Sequence, residues 1–301
     1  MADIFAMGFA VHDTLLLADD FPVEDSRLRI SDTFEQRGGQ ASTALAAAAK
    51  LGASCAFIGC VGDDISGDYI ISQLISHGID VKSTKKIAGT TSNRSFVLVN
   101  RSKATRTCMS TRGTAPAPSD EMIINAGLER AKIFHTDGHY AEAALKAAKI
   151  VHENGGKVCM DAGGFYDGVE DVLKIADFII ASQEFSQKLT GKDDEREAVK
   201  ALFDAYHPEF AMITLGARGG IYYDGKNFDS YEAYKVNAVD SNGAGDIFHG
   251  AWIAAYLNGM TAMAAARFAA AVSAIKCQKL GTRGNLPTWE ETQAWIGEYG
   301  K

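Results

Sequence analysis

Proline is scarce in this chain of 301 residues, which contains 5 prolines and 30 glycines. That balance suits a fold with many tight turns and helix ends. Hydrophobic residues make up 47% and charged residues 23%, the proportions of an ordinary globular protein, so fibrous and disordered structures are excluded. The length fits two average domains, or one large α/β domain with a small appendage.

Cysteine is also rare, and no two cysteines have the C-x-x-C spacing of a metal or redox site. An odd number of thiols is scattered along the chain, at Cys55, Cys60, Cys108, Cys159 and Cys277. We expect them to be reduced and to pack as small hydrophobic side chains, which favours a cytoplasmic location. No apolar run reaches the roughly 18 residues that a membrane span needs, and the N-terminus lacks the features of a signal peptide. No membrane partner is therefore predicted.

An excess of basic residues is missing as well. The 30 lysines and arginines face 38 acidic residues, which gives a formal net charge of −8. Because duplex nucleic acid is bound largely by neutralising its phosphates, nucleic acid is not predicted as a partner. A small anionic ligand at one local site remains compatible with this charge.

Short apolar runs alternate with helical stretches along most of the chain. Four of these runs, in the second half, read as buried strands: Ile133–His135, Val158–Asp161, Phe178–Ala181 and Met212–Leu215. Helix candidates lie between them, for example Ala141–Asn154, which is followed by two glycines. The pattern predicts an α/β fold with a doubly wound, mainly parallel sheet and helices on both faces.

Two segments break this alternation, Val11–Gln36 and Val81–Ser110, because they show β-like patterns and no helix of useful length. We expect them to meet as one small β-sheet lid beside the main domain. The predicted boundaries are 11–36 and 81–112 for the lid, and 1–10, 37–80 and 113–301 for the α/β core.

The segment Asp240–Gly250 is the most informative motif. Small residues at Gly243, Ala244 and Gly245 let a ligand approach the backbone, and the apolar, alanine-rich stretch after them predicts a helix. The free N–H groups and the positive dipole at a helix start bind phosphate. Asp246 falls in the first turn, where it is either a functional group beside an anion or simply a cap of the helix.

A second nucleotide pattern, the G-x4-G-K spacing of Gly220–Lys226, is not interpreted as a phosphate-binding loop. Asn227 stands where a P-loop has serine or threonine, and Ile221–Tyr223 is strand-like. Asp224-Gly225 is a hairpin turn signal. These residues predict a β-hairpin.

The letters of Asp240–Phe248, DSNGAGDIF, resemble the C-terminal signature of the ribokinase/PfkB carbohydrate kinase family, D-[ST]-x-G-A-G-D-x-F. The resemblance implies a kinase that uses ATP and Mg²⁺ and transfers the γ-phosphate to a sugar hydroxyl. It makes Asp246 the base that takes the proton from that hydroxyl. It makes the amides of Gly243, Ala244 and Gly245 the hole for the transferring phosphoryl group, in line with the charge stabilisation that this chemistry needs.

The N-terminal half is similar to the family's other signature, and the resemblance spans residues from about 4 to 297. Gly38, Gly39, Gln40 and Thr43 match its double-glycine motif, where substrate approaches the backbone. Asp13 matches the family aspartate that accepts hydrogen bonds from sugar hydroxyls.

The resemblance also implies a nucleotide site. Thr214, Gly216 and Gly219 match the turn that lines the nucleotide. Asn242 stands where many members have threonine or cysteine, so the monovalent-cation site of some members is an open question for this chain.

Other positions depart from the family pattern. The motif N-x-x-E, which organises magnesium through water, reads S-Q-E-F at 182–185. Its glutamate is therefore either missing or replaced by Glu184, the candidate metal residue, one position early. Thr43 replaces an asparagine, which shortens the reach to a sugar hydroxyl. In these two features, Thr43 and the segment Ala274–Pro287, the sequence most resembles the sulfofructose kinase and ketohexokinase branches of the family.

Positive charge is concentrated in the second lid segment, which has eight basic residues between positions 80 and 120 and no acidic one. Two hypotheses explain it: pairing with the acidic first segment, across strands or across a dimer, or contact with an anionic substrate such as a sugar phosphate or sulfonate. The candidate contacts for such a substrate are Arg27, Arg94, Arg106 and Arg112. His139, after a predicted strand, is a further candidate substrate contact.

The sequence thus predicts an ATP-dependent sugar kinase, acting on a hydroxyl and most simply a primary one. A nucleoside kinase of the same fold, or a non-catalytic relative that senses sugar or nucleotide, are the alternatives. Members of the family commonly pair through their lids, so we expect a homodimer.

Overall fold

Two sheets carry the fold in a computed structural model that describes residues 2–103, 105–279, 281 and 286–299. The strands are β1 (Ile4–Met7), β2 (Val11–Ala18), β3 (Asp32–Gly38), β4 (Cys55–Gly62), β5 (Thr84–Ile87), β6 (Arg94–Asn100), β7 (Thr105–Thr111), β8 (Ile133–Thr136), β9 (Lys157–Ala162), β10 (Phe178–Ser182), β11 (Phe210–Thr214), β12 (Gly220–Tyr223) and β13 (Phe228–Tyr231). The α-helices are α1 (Gln40–Lys50), α2 (Ile65–Ser76), α3 (Asp120–Ile124), α4 (Ala141–Glu153), α5 (Val169–Leu173), α6 (Gln183–Thr190), α7 (Glu195–Tyr206), α8 (Ala244–Leu257), α9 (Ala262–Cys277) and α10 (Trp289–Tyr299). None of these described helices is long and apolar enough to cross a bilayer.

The larger sheet has nine strands in the order β13-β12-β11-β10-β9-β8-β1-β4-β5. All of its strand pairs are parallel except β11–β12 and β12–β13. The hairpin of β12 and β13 occupies the region with the G-x4-G-K spacing, so the prediction of a hairpin there is confirmed. The predicted α/β class with a mainly parallel sheet is also confirmed.

Helices cover both faces of this sheet because its central strands are apolar on both sides. Along β1, Ile4 packs into one hydrophobic cluster and Phe5 into the other, as the two-residue period of a strand requires. Helices α1, α8 and α9 cover the first face, and α4 and α7 cover the second. The sheet is thereby buried on both faces, which explains the near-continuous apolar runs in the sequence.

The smaller sheet has four strands in the order β3-β2-β6-β7. Three of its strands contain the β-like segments predicted for the lid, and the two separate insertions meet through the parallel pair β2–β6. Within the second insertion, however, Thr84–Ile87 pairs with β4 of the large sheet. The predicted lid boundary at residue 81 is wrong in this respect, because a strand's partner is chosen by tertiary packing that local sequence does not encode.

Close contact between α1 and α8 fixes the positions of both helix starts. A Cβ built on Gly250 in α8 would lie 1.9 Å from the carbonyl oxygen of Ala44 in α1. Only glycine allows this approach, and the alanines around it keep the two backbones close. Helix α1 begins after Gly39, and α8 begins after Gly243, so both glycine motifs lie at the ends of one helix pair.

Candidate active site

The glycine-rich segment forms a tight turn at the start of α8. Gly243 is the N-cap residue and has φ of 70°, a left-handed conformation that favours glycine. The amide of Ala244 donates to the carbonyl of Ser241 at 3.2 Å, which closes the turn. Among the described residues no side-chain hydrogen bond caps this helix, and Asp246 lies in its first turn without being the N-cap residue.

Asp246 lies in the first turn of α8 and is half-buried. Burial raises the pKa of Asp246 to about 7, repulsion from the Asp161 carboxylate adds to the rise, and His249 acts in the opposite direction. A carboxyl group with such a pKa is poised to accept a proton near neutral pH. Asp161 and His249, both buried, lie 3.2 Å apart through Oδ1 and Nε2.

Asp13 lies in β2, next to the double glycine of β3. Ser95 Oγ donates to Asp13 Oδ1 at 2.5 Å, and a Cβ on Gly38 would lie 2.0 Å from Asp13 Oδ2. Burial raises the pKa of Asp13 to about 6, against the lowering effects of the Ser95 hydrogen bond and the Arg37 charge. The glycine at 38 thus leaves space for the Asp13 carboxyl group.

A third carboxyl group, Asp137, ties the strand ends together beside these glycines. Asp137 accepts hydrogen bonds from the amides of Phe9 at 2.7 Å, Ala41 at 3.2 Å and His139 at 3.1 Å. Burial alone would raise the pKa of Asp137, but the hydrogen bonds from His139 and Phe9 hold it below its usual range. Gly39 has φ of 95°, and a Cβ there would lie 2.2 Å from the carbonyl oxygen of Phe9.

Gln40, Thr43 and His139 lie near this region in different ways. Tyr166 Oη donates to Gln40 Oε1 at 3.2 Å, so Gln40 is half-buried and reaches across to the segment after β9. The His139 ring stacks on Phe9 and lies 3.7 Å from the Tyr166 ring. Thr43, in contrast, is fully buried in α1, so its hydroxyl group does not line the open crevice. The prediction that Thr43 contacts substrate is not supported in this conformation.

A cavity of ≈ 430 Å³ contains the predicted nucleotide residues Thr214, Gly216 and Gly219. The same cavity is lined by Ala244 and Gly245, so it reaches the turn at the start of α8. A site that combines apolar walls with backbone amides at a helix start suits the base and phosphates of a nucleotide.

A second cavity, of ≈ 260 Å³, lies between the smaller sheet and the segment 238–242. Leu15, Val97 and Arg106 line it from the lid, and Ser241 and Asn242 line it from the core. Ser241 also lines the first cavity, so the two cavities meet at the turn before α8.

The four predicted arginine contacts do not all reach this second cavity. Arg106 does, and its Nη1 lies 3.4 Å from Ser241 Oγ. Arg94 is in register with His12 and its guanidinium lies 5.0 Å from the Phe96 ring centre, which places it on the face of the sheet opposite Asp13. The hypothesis that Arg94 contacts substrate is therefore corrected, because strand side chains alternate between faces.

Arg27 and Arg112 are both exposed. Arg27 lies in the connection between β2 and β3. Arg112 follows β7, and its positive charge acts to lower the pKa of Tyr140, against the larger raising effect of burial. The pairing hypothesis for the lid charges has one contact across the two insertions in the described chain, Lys103 Nζ to Asp20 Oδ1 at 3.6 Å.

The candidate metal residue Glu184 points to solvent. Its carboxylate pairs with Lys188 Nζ at 2.6 Å, one turn along α6, and this pair lowers the pKa of Glu184. Phe185, at the position of the family glutamate, is buried and stacks on Phe165. The prediction of Glu184 as the metal residue is therefore not supported. The described residues contain no group of three or more histidines, cysteines or acids placed to hold a metal by itself.

Several residues of this site had not been predicted. Ser95, Asp137, Asp161, His249 and Lys276 surround the predicted carboxylates or the turn before α8. Asp137 and Asp161 could have been found, because each ends or follows an apolar strand run at the sheet edge where ligands bind in α/β folds. Ser95 and Lys276 carry no local signal of this kind.

The chain is similar to known kinases in sequence and in fold. Residues 1–289 match the model of the pfkB family carbohydrate kinases. Ribokinase of Haemophilus influenzae is 30% identical over 86% of this chain and 87% of its own length, and ketohexokinase of Mus musculus is 25% identical over 93% and 98%. The structure of Arabidopsis thaliana ribokinase complexed with ribose and ATP is 20% identical and superposes with a TM-score of 0.85 over 98% of this chain and 99% of that one.

The match to the family model covers nearly the whole described chain, and it includes both glycine motifs and the turn before α8. The family membership that the sequence motifs predict is thereby confirmed. The chain belongs to the pfkB family of carbohydrate kinases, whose members transfer phosphate from ATP with the help of Mg²⁺.

Proposed function

We propose that this protein transfers the γ-phosphate of ATP to a hydroxyl group, most simply a primary one, of a monosaccharide or sugar derivative. The observation that carries the proposal is the position of Asp246. It lies in the first turn of α8, directly after the turn where a nucleotide-sized cavity meets a smaller cavity under the lid.

In this proposal Asp246 accepts the proton of the attacking hydroxyl. The amides of Gly243, Ala244 and Gly245, with the dipole of α8, stabilise the negative charge of the transferring phosphoryl group. Asp13 accepts hydrogen bonds from other hydroxyls of the sugar, and the lid excludes water, a competing acceptor.

Thr214, Gly216 and Gly219 would hold the nucleotide in the larger cavity. Magnesium supplies charge neutralisation between the phosphates when it is bound. Because Mg²⁺ takes many of its ligands from phosphates and water, a site without a complete protein cage fits this metal.

An activity screen tests the proposal. Consumption of ATP is measured with ketoses, aldoses, sugar phosphates, sulfosugars and nucleosides, with Asp246→Asn as the matched control. We expect turnover with a sugar or sugar derivative that the control variant loses. Turnover with nucleosides alone would make the protein a nucleoside kinase of the same fold. Equal ATP consumption by the control would contradict the role of Asp246.

We further propose that the sugar carries an anionic group that Arg106 contacts. Arg106 brings an exposed guanidinium to the cavity under the lid, and the guanidinium fork suits phosphate or sulfonate. The variant Arg106→Ala should lower kcat/KM for an anionic sugar more than for its neutral analogue. Arg94→Ala, on the opposite face of the same sheet, is the matched control. An equal loss with both sugars would instead place Arg106 on the transferring phosphate.

We propose that two copies of the chain pair through their lids. Strand β7 is the last strand in its sheet, and all of its residues are exposed, including Met109 at 50%. Phe34, on the other edge strand, is 43% exposed. Exposed apolar side chains on strand edges are typical of surfaces that pair with another chain.

We place the reaction in the cytoplasm, because all five cysteines are free and four of them are at least partly buried without a disulfide partner. Expression of the protein in an oxidising compartment, followed by a count of its free thiols, tests this location. Formation of intramolecular disulfides there without loss of activity would argue against the proposal.

A further inference from the structure

A buried lysine holds the backbone that leads into the turn before α8. Lys276, in the last turn of α9, has an exposed fraction of 0%. Its Nζ donates to the carbonyl oxygen of Asp240 at 2.9 Å and makes a second, shorter hydrogen bond to the carbonyl oxygen of Asn242. The ammonium group therefore binds two carbonyls of the segment that precedes Gly243.

The carboxylate nearest to this ammonium group is not its closest partner. Asp240 Oδ2 lies 3.8 Å from Lys276 Nζ and accepts a hydrogen bond from the amide of Gly281 at 2.9 Å. Burial lowers the pKa of Lys276, while the charge of Asp240 opposes that effect. A fully buried ammonium group is costly unless its surroundings compensate the charge, so its placement against backbone carbonyls is a specific arrangement.

The end of α9 fixes the same segment a second time. The carbonyl oxygen of Cys277 accepts hydrogen bonds from the amides of Val239 at 2.7 Å and Asp240 at 3.1 Å. The Lys276 side chain and the Cys277 carbonyl thus both form hydrogen bonds to the segment 239–242. Movement of this ammonium group would release the loop that begins the turn.

The direction of one peptide group connects Lys276 to the reaction. In a trans peptide, the C=O of one residue and the N–H of the next point in opposite directions, and no described peptide is cis. Because Lys276 binds the carbonyl of Asn242, the N–H of Gly243 points away from it. That N–H is one of the three that we assign to the phosphoryl group, so Lys276 sets its direction.

A monovalent cation does not fit beside Lys276. Carbonyl oxygens and a carboxylate are the ligands that such a cation takes, and here the two carbonyls bind the ammonium group instead. We propose that Lys276 is a built-in cation that replaces a bound monovalent ion and holds the Gly243 amide in the geometry that phosphoryl transfer needs. This inference rests on the proposed function of Gly243–Gly245.

Activity in different salts tests the proposal on the wild type. Phosphoryl transfer is measured at constant ionic strength in potassium, sodium and tetramethylammonium chloride. We expect the same kcat in all three salts, because the cation position is filled. Activation by potassium of several fold would overturn the proposal, and this result requires no variant that could fail to fold.

Two variants separate a cationic role from a packing role. Lys276→Ala removes the ammonium group and leaves space, and it should lower kcat roughly 10²-fold with a smaller effect on the KM for sugar. Potassium or ammonium ions should restore part of that loss. Lys276→Met fills the space without charge, so it should show the loss without the rescue. Full activity of Lys276→Ala without added ions would overturn the proposal, as would equal behaviour of the two variants in potassium.

Thermal unfolding gives a readout that is independent of turnover. In the absence of substrates, potassium should raise the Tm of Lys276→Ala more than that of the wild type or Lys276→Met, because only the alanine variant offers the ion a site. This shift would appear even if the sugar-kinase function proved wrong, so the two failures are distinguishable. The same Tm response in all three proteins would overturn the built-in cation.

Discussion

One substitution tests the proposed role of Asp246 as the residue that accepts the proton. Asp246→Asn should lower kcat by roughly 10²–10⁴-fold and leave nucleotide and sugar affinities nearly unchanged, because asparagine keeps the shape but cannot accept the proton. In the wild type, kcat/KM should fall as the pH drops below about 7, the pKa to which burial raises this carboxyl group. Isothermal titration and a pH profile check both points. More than about a tenth of wild-type turnover in the variant would rule out the role of base.

The same substitution has a predicted effect on stability. A carboxyl group whose pKa is higher in the folded protein than in the unfolded chain binds more protons when folded, so its ionisation lowers stability as the pH rises from about 4 to about 7. Asp246→Asn removes that penalty. The Tm difference between variant and wild type should therefore be larger, in favour of the variant, at pH 8 than at pH 5. A difference that shrinks with rising pH would contradict the raised pKa that burial and the Asp161 carboxylate give to Asp246.

Substitution of Asp13 should raise the KM for sugar and leave the KM for the nucleotide almost unchanged. Asp13→Ala removes a buried acceptor on the lid sheet, and the lost charge-assisted hydrogen bonds of about 1.5–3 kcal/mol should raise the KM for sugar roughly 10- to 100-fold. The KM for ATP should change much less, since the nucleotide cavity is lined by other residues. Ser95→Ala is a milder control that keeps the carboxyl group. Equal increases in both KM values would indicate general destabilisation.

At the scale of elements, two glycines in α8 form a matched pair. Gly250→Ala places a Cβ 1.9 Å from the Ala44 carbonyl oxygen and should destabilise the protein by about 1–3 kcal/mol or more. Gly245→Ala meets nothing within 4 Å and should be neutral or stabilising, because alanine is the better helix former. Chemical denaturation measures both free energies of unfolding. Similar values for the two variants would show that α1 and α8 can move apart freely.

The element boundaries show what a sequence encodes locally. The helix predicted over Ala141–Asn154 is observed over Ala141–Glu153, because glycines stop it and its alanines face one side. Strand β3 had no predicted counterpart of its own, since Asp32–Gly38 is half exposed and carries charges that hide its two-residue period. Strand β5 was assigned to the lid because pairing with β4 depends on the whole sheet.

The residues of the site divide in the same way. The turn before α8, the double glycine and Asp13 were predicted because small residues and carboxylates follow recurrent motifs. Lys276 was not, because its partners are backbone carbonyls 34 and 36 positions away, which no side-chain pattern marks. Glu184 was misplaced because a shift of one residue on a helix turns a side chain by about 100°, here from the core towards solvent.

At the scale of the whole molecule, pairing through the lids makes a further prediction. Met109→Glu places a charge on the exposed edge strand and should shift the protein from dimer to monomer in sedimentation velocity. Ile124→Glu, at an apolar residue on α3 that is more exposed than Met109, should leave the dimer intact. Dissociation by both substitutions, or by neither, would argue against the lid as the interface.

The backbone contact between α1 and α8 limits how this protein can diversify. One helix starts after Gly39 and the other after Gly243, the glycines that we propose face sugar and phosphate, and the close approach of Gly250 to the Ala44 carbonyl oxygen keeps the two helices together. Any side chain at position 250 would force the two helices apart. New acceptors must therefore be gained through the lid, whose residues can vary while the geometry of transfer is inherited unchanged.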